Sequence, residues 1–153
     1  MTTLIVATDG SELALQAAVT GLSLARQADE VLVAYAVDLL IPGEDATGHA
    51  GATITPEVAD AANRAAREQG VAAMTSVTEA ARELGYTSER VETRLIEGSA
   101  GPSLCRLAAD VDASAVIIGS RGRGGLKRAL LGSVSDYVVR NAPCTVVVSK
   151  DPE

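Results

Sequence analysis

Short, continuous apolar runs alternate along this chain with longer stretches whose apolar residues recur every three or four positions. Thr3-Leu4-Ile5-Val6-Ala7-Thr8 and Val31-Leu32-Val33-Ala34-Tyr35-Ala36-Val37 are runs of the first kind. A strand without polar alternation suits burial on both faces, as in a parallel sheet covered by helices. Between these runs Ser11 stands as an N-cap, and Leu13, Ala14, Ala17, Ala18, Gly21, Leu22 and Ala25 follow helical spacing. The opening unit therefore reads strand, helix, strand.

Residues 38–54 carry acids, glycines, Pro42 and His49 and read as an irregular surface loop. Thr55-Pro56-Glu57 is a helix start, a hydroxyl N-cap followed by proline at the first helical position. The Ala-rich helix runs to Leu84, is interrupted by Gly70 and stops at Gly85. Residues 91–96 form a third strand that alternates apolar and polar positions, which places it near a sheet edge. Gly101-Pro102 opens a helix with Leu104, Cys105, Leu107 and Ala108 on one side. A fourth strand, 115–118, runs directly into Gly119. A last helix over 133–140, closed by Pro143, precedes a fifth strand at 144–148. Strands alternating with helices imply an α/β fold, an open, doubly wound parallel sheet with helices on both faces. In such sheets ligands bind beyond the carboxyl ends of the strands, where strand order reverses. Asp9 and Gly119 stand at two such ends.

The 153 residues suit one domain spanning 1–153, with 47% apolar residues and a mean hydropathy of +0.20 that allow a real core. Aromatic residues are only 2%, too few for base-stacking platforms, and a net charge of −7 disfavours nucleic acid or an anionic membrane as partner. No apolar run reaches the roughly 20 residues of a bilayer span, and Met1-Thr2-Thr3-Leu4 lacks the features of a secretory signal. A cytoplasmic location is expected. Cys105 and Cys144 form no Cys-x-x-Cys pair, and His49, the single histidine, is distant in sequence from both. They read as ordinary buried thiols rather than a metal or catalytic site.

The chemistry concentrates between Gly119 and Asp136. Five glycines fall between 119 and 132, and Arg121, Arg123, Lys127 and Arg128 put four cations into the same segment of an acidic chain. Glycines let backbone N–H groups close around an anion, and a helix beginning at Ser133 offers free N–H groups to a phosphate. Ser133-x-x-Asp136 also reads as a capping box. Neither a P-loop signature nor a G-x-G-x-x-G after the first strand is present.

Gly119-x2-Gly122-x9-Gly132-Ser133 resembles the G-2x-G-9x-G-[ST] signature of ATP-binding universal stress proteins. The resemblance extends over nearly the whole chain: Thr8-Asp9-Gly10-Ser11 looks like that family's opening turn, Gly101-Pro102 like its third helix start, and Pro143-Cys144-Thr145-Val146-Val147-Val148 like its closing strand. It implies a Rossmann-like sheet of strand order 3-2-1-4-5, of the adenine nucleotide alpha hydrolase-like kind. By that resemblance Gly119 and Gly122 would hold the ribose and first phosphates, with Arg121 and Arg123 beside them. Gly132, Ser133 and Ser135 would meet the outer phosphates, with the Val134 backbone between them. Ala7, Thr8 and Asp9 would flank the nucleotide, Asp9 facing ribose or a metal-bound phosphate. The Ala36 backbone would read the adenine edge, and Ile118 would pack beside the base. ATP and Mg²⁺ are the implied ligands, the metal held by the phosphates with help from Asp9. Tyr35 and Ser114 depart from the family, which often has His and an acidic residue there. The family also implies a homodimer through the fifth strand (Thr145, Val146, Val147, Val148) and a protein partner in a stress or dormancy response.

Other classes fit less well. Adenylyl-transferring relatives carry a longer Ser-Gly-Gly-x-Asp-Ser loop where this chain has Asp9-Gly10-Ser11. A phosphoacceptor receiver domain needs an acceptor Asp after the third strand, where Glu97-Gly98-Ser99 stands. A nucleotide-free dimeric stress module typically lacks the glycines retained here. The expectation is an ATP-binding regulator with at most slow hydrolysis. Substituting valine at Gly122 or Gly132 should abolish binding, both by clash and by resistance to positive φ.

Overall fold

The sheet and its crossovers follow the hydrophobic pattern. A computed structural model of the chain describes residues 1–25, 28–44, 53–122 and 131–150. Its strands are β1 (Thr3–Ala7), β2 (Glu30–Val37), β3 (Val91–Glu97), β4 (Ala115–Gly119) and β5 (Thr145–Ser149). All pair in parallel, in the order β3-β2-β1-β4-β5. The helices are α1 (Glu12–Leu24), α2 (Pro56–Glu83), α3 (Ala100–Asp110) and α4 (Ser133–Asn141), and a short 3-10 turn at Ser88–Arg90 precedes β3.

Because strand side chains alternate faces, the continuous apolar runs serve two cores. Leu4, Val6, Val31, Val33 and Ile117 meet Leu22 of α1 and Val77 of α2 on one face. Ile5, Leu32, Val116 and Ile118 meet Leu104 and Leu107 of α3 and Val138 of α4 on the other. Ile5, Val6, Val31, Val33 and Val116 are completely buried, each contributing roughly 1.5–3 kcal/mol.

Both expected caps form. The Ser11 hydroxyl accepts the Ala14 N–H at 3.1 Å, and the Thr55 hydroxyl accepts the Val58 N–H at 3.3 Å, with Pro56 at the helix start. Helix α2 is not interrupted at Gly70. It runs unbroken because Gly70 lies against the Tyr35 ring and Leu95, where a Cβ would stand 2.7 Å from both. The last helix begins at Ser133 as expected, and the alternative reading of Ser133-x-x-Asp136 as a capping box is not realised: Gly132 is the N-cap, and the Asp136 carboxylate pairs with Arg140 one turn on.

The two sheet edges differ. β3 carries exposed Glu92, Thr93 and Arg94, whereas β5 exposes Thr145 and leaves Val146, Val147 and Val148 half-buried. Among the described residues no helix is long and apolar enough to cross a membrane.

Cys105 and Cys144 are half-buried rather than fully buried, and both pack on the α3/α4 face. Burial pushes the Cys105 thiol up, and the neighbouring Cys144 adds to the shift; burial alone raises Cys144. A thiol raised on folding stabilises the fold below its unfolded value and loses that stabilisation as pH rises through the folded value. Stability should therefore fall above roughly pH 8.5, and iodoacetamide should modify the native protein more slowly than a small-molecule thiol at pH 8. Equal rates for both would contradict the burial of these thiols.

Candidate functional site

β1 lies at the switch point of the sheet, because its neighbours β2 and β4 lead into helices on opposite faces. A cavity of about 460 Å³ opens there, at the carboxyl ends of the strands. Ala7, Thr8 and Asp9 line it from the end of β1, Ala36 from β2, and Ile118 and Gly119 from β4. Arg121, Gly122, Gly132, Ser133, Val134 and Ser135 add to the wall. Every site residue expected from the sequence borders this space except Arg123, which lies outside the described residues, as do Lys127 and Arg128.

The first turn of the chain is closed on itself. Thr8 Oγ1 accepts the Gly10 N–H at 3.1 Å, Asp9 Oδ1 accepts the Ser11 N–H at 2.9 Å, and Ser11 caps α1. Gly10 takes φ +79, a left-handed conformation that disfavours side chains. The N–H groups of Gly10, Ser11 and Ala14 are consequently occupied by side chains of this turn.

α4 is different. Its N-cap is Gly132, without a side-chain acceptor, and the first intrahelical bond runs from the Asp136 N–H to the Gly132 carbonyl. The N–H groups of Ser133, Val134 and Ser135 precede that bond and have no intrahelical acceptor. With the positive end of the helix dipole they form an anion-seeking surface on the cavity wall.

At the β2 side the site changes character. β1 pairs with β2 only as far as Ala7 and Ala34, while β2 continues to Val37 against β3. The Thr8 N–H donates to the Ala34 carbonyl at 3.0 Å. Backbone direction alternates with period two, so the N–H and carbonyl of Ala36 face the same side as those of Ala34, beyond the end of β1. An adjacent donor and acceptor thus look into a slot walled by Leu104 and Ile118.

The motif glycines work through space rather than through φ. Gly132 has φ −71, and neither Gly119 nor Gly122 is left-handed. A Cβ on Gly119 or Gly132 would make ordinary contacts, the nearest at 3.4 and 3.5 Å. A Cβ on Gly122 would stand 2.6 Å from Asp9 Oδ2. The expectation that positive φ excludes valine from these turns is thereby corrected: crowding excludes it at Gly122.

Sequence reasoning missed Ser120, Ala100 and Leu104. Ala100 and Leu104 line the cavity from the first turns of α3, and the signal was available in the helix start at Gly101-Pro102. Ser120 is 2% exposed and gathers several hydrogen bonds through its backbone, a role no side-chain pattern announces. Among the described residues no group of three or more His, Cys, Asp or Glu could hold a metal ion.

The universal stress protein family model matches residues 1–150. Universal stress protein MJ0531 of Methanocaldococcus jannaschii is 30% identical over 155 residues, covering 98% of this chain and 82% of its own length. Among solved structures, MJ0577 superposes with a TM-score of 0.77 at 20% identity, covering 99% of this chain and 97% of that one. A universal stress protein family member from Arabidopsis thaliana with AMP bound gives a TM-score of 0.65 at 18% identity, with 99% and 93% covered. At such identities the structural likeness speaks for the fold.

Proposed function

The chain belongs to the universal stress protein family, and from that premise we propose that its cavity binds ATP and that the protein acts as a nucleotide-dependent regulator. The observation that carries this reading is the joining, in one cavity, of an uncapped helix start with an apolar slot under the overhanging end of β2. The Gly132 bond to Ser120 holds the helix start beside the end of β4, and β4 lies about 9–10 Å from β2 across β1, a spacing suited to a base at one end and phosphates at the other. The N–H of Ala36 is matched to adenine N1 and its carbonyl to the exocyclic amine. Guanine presents the opposite pattern at that edge and would leave two buried groups unpaired. The AMP in the Arabidopsis relative supports the same class of ligand. Isothermal titration should give measurable binding of ATP and at least about tenfold weaker binding of GTP, roughly 1.4 kcal/mol. Equal affinities would refute the base assignment, and no binding of either would refute the reading.

Mg²⁺ fits here as a phosphate-bound ion: it would neutralise phosphate charge, with Asp9 the one carboxylate on the described cavity wall to assist it. Fast phosphoryl transfer needs a protein-held metal, a cation on the terminal phosphate and a positioned water. One carboxylate cannot supply the first and third together. Steady-state phosphate release at saturating Mg-ATP should therefore stay far below the roughly 1–100 s⁻¹ of kinases. A rate near one per second that disappears in Asp9→Asn would make the protein an enzyme.

The same reading includes a homodimer through β5. The Ser120 N–H donates to the Ser149 carbonyl at 2.8 Å, so by alternation Val146 and Val148 turn their backbone groups away from β4, toward the open edge. An apolar strand with free edge groups is a pairing template. Sedimentation should show a dimer at micromolar concentration, and Val148→Pro, which removes one outward N–H, should shift it toward monomer. A parent protein that sediments as a monomer would refute this.

A further inference from the structure

We infer that Ser135 is a positioning residue, whose hydroxyl latches the start of α4 to the end of β4 and does not bind phosphate. The inference rests on the nucleotide reading above, but only for the consequence it has on binding.

The Ser135 side chain is buried, with 3% of the residue exposed. Its Oγ lies 2.9 Å from the Ser120 carbonyl and 3.0 Å from the Gly132 carbonyl. A serine hydroxyl has one proton to donate. Both neighbours are acceptors, so that proton is committed to a carbonyl and only lone pairs remain, which a phosphate oxygen would repel. Ser133, two residues earlier, is exposed at the cavity wall and is the hydroxyl suited to an anion.

The Ser120 carbonyl is the node of this arrangement. It also accepts the Gly132 N–H at 2.7 Å, while the Ser120 N–H reaches the Ser149 carbonyl at 2.8 Å. One buried residue thus ties together the end of β4, the end of β5 and the N-cap of α4. The contact with Ser120, the shorter of the two, spans 15 residues of sequence, whereas the one with Gly132 is the local serine-to-backbone bond common within helices; the latch directs the proton to the Ser120 carbonyl. Its effect is to close the chain between Ser120 and Gly132 at its base. Since a glycine N-cap has no side chain to fix the first turn, Ser135 performs that fixation from inside the helix. The N–H groups of residues 133–135 are aimed as a consequence.

The test is amide hydrogen exchange on the nucleotide-free protein, with ATP titration in parallel, for Ser135→Ala, Ser135→Thr and Ser133→Ala. Without nucleotide, Ser135→Ala should speed exchange of the Gly132 amide about fivefold or more, the worth of one buried hydrogen bond. It should weaken ATP by a similar factor, and Ser135→Thr, which keeps the hydroxyl, should restore both. Ser133→Ala should leave Gly132 exchange unchanged. Parent-like exchange in Ser135→Ala overturns the latch, whatever happens to ATP. Faster exchange with unaltered ATP affinity overturns the positioning role. A parent protein that binds no ATP would overturn the nucleotide reading alone, and the exchange of Gly132 would still judge the latch.

Discussion

Gly122→Val should lower ATP affinity by at least about a hundredfold, roughly 2.7 kcal/mol, while leaving the fold intact. The first added carbon already stands 2.6 Å from Asp9 Oδ2, well inside van der Waals contact. Asp9 cannot yield without cost, because its other oxygen holds the Ser11 N–H at the start of α1. The valine methyls extend the clash over the wall that borders the cavity. Gly122 is exposed and belongs to neither core, so circular dichroism should match the parent and the unfolding temperature should fall only by the small cost of moving Asp9. Titration of the variant decides the matter: binding within about threefold of the parent, roughly 0.6 kcal/mol, would remove Gly122 from the site.

A second substitution should act wholly on stability. Gly21→Val places a Cβ inside Ile117 of β4, overlapping its Cγ2. Ile117 is 1% exposed, β-branched and restricted at χ1, so it has little room to turn aside. In an exposed helix, replacing glycine by alanine gains up to about 1 kcal/mol; here overpacking should reverse that sign. The valine variant should lose about 3 kcal/mol, at the upper end for overfilled cores. For a chain of this length that corresponds to a drop in Tm of roughly 6–12 °C. A calorimetric scan with an unchanged or higher Tm would mean that α1 does not sit directly on β4. Gly21→Ala, being smaller, should fall between parent and valine.

Much of this fold could be read from residue order because burial on both faces leaves a plain signature. β1, β2 and β4 carry continuous apolar runs and occupy the centre of the sheet, and the alternating β3 takes an edge. The hydroxyl caps at Ser11 and Thr55 were equally legible, since an N-cap is a local chemical event. The candidate site was legible where glycine spacing reported it. Gly70 was misleading: a helix-weakening residue was kept inside α2 by a contact with Tyr35, thirty-five positions away, which no local pattern contains. The helix start at Ser133 was legible, whereas the alternative reading of Ser-x-x-Asp as a capping box was not realised, because Gly132 is the N-cap and its N–H and the Ser135 hydroxyl both bond to the distant Ser120 carbonyl. Ala36 became informative only once strand lengths were known, because the overhang of β2 depends on where β1 stops.

The unequal edges of the sheet bear on when assembly ends. Two copies joined at β5 would form a single ten-stranded sheet, each half contributing the five strands seen here. Such a contact is related by a two-fold axis and uses the same edge of both copies, so no second β5 remains to recruit a third. The outer margins would both be β3, where Glu92, Thr93 and Arg94 are exposed and charge discourages strand addition. On the proposed β5 pairing the chain would carry its own stop signal: one adhesive border, consumed in the first encounter, and one repellent border that would keep a pair from growing into a fibre.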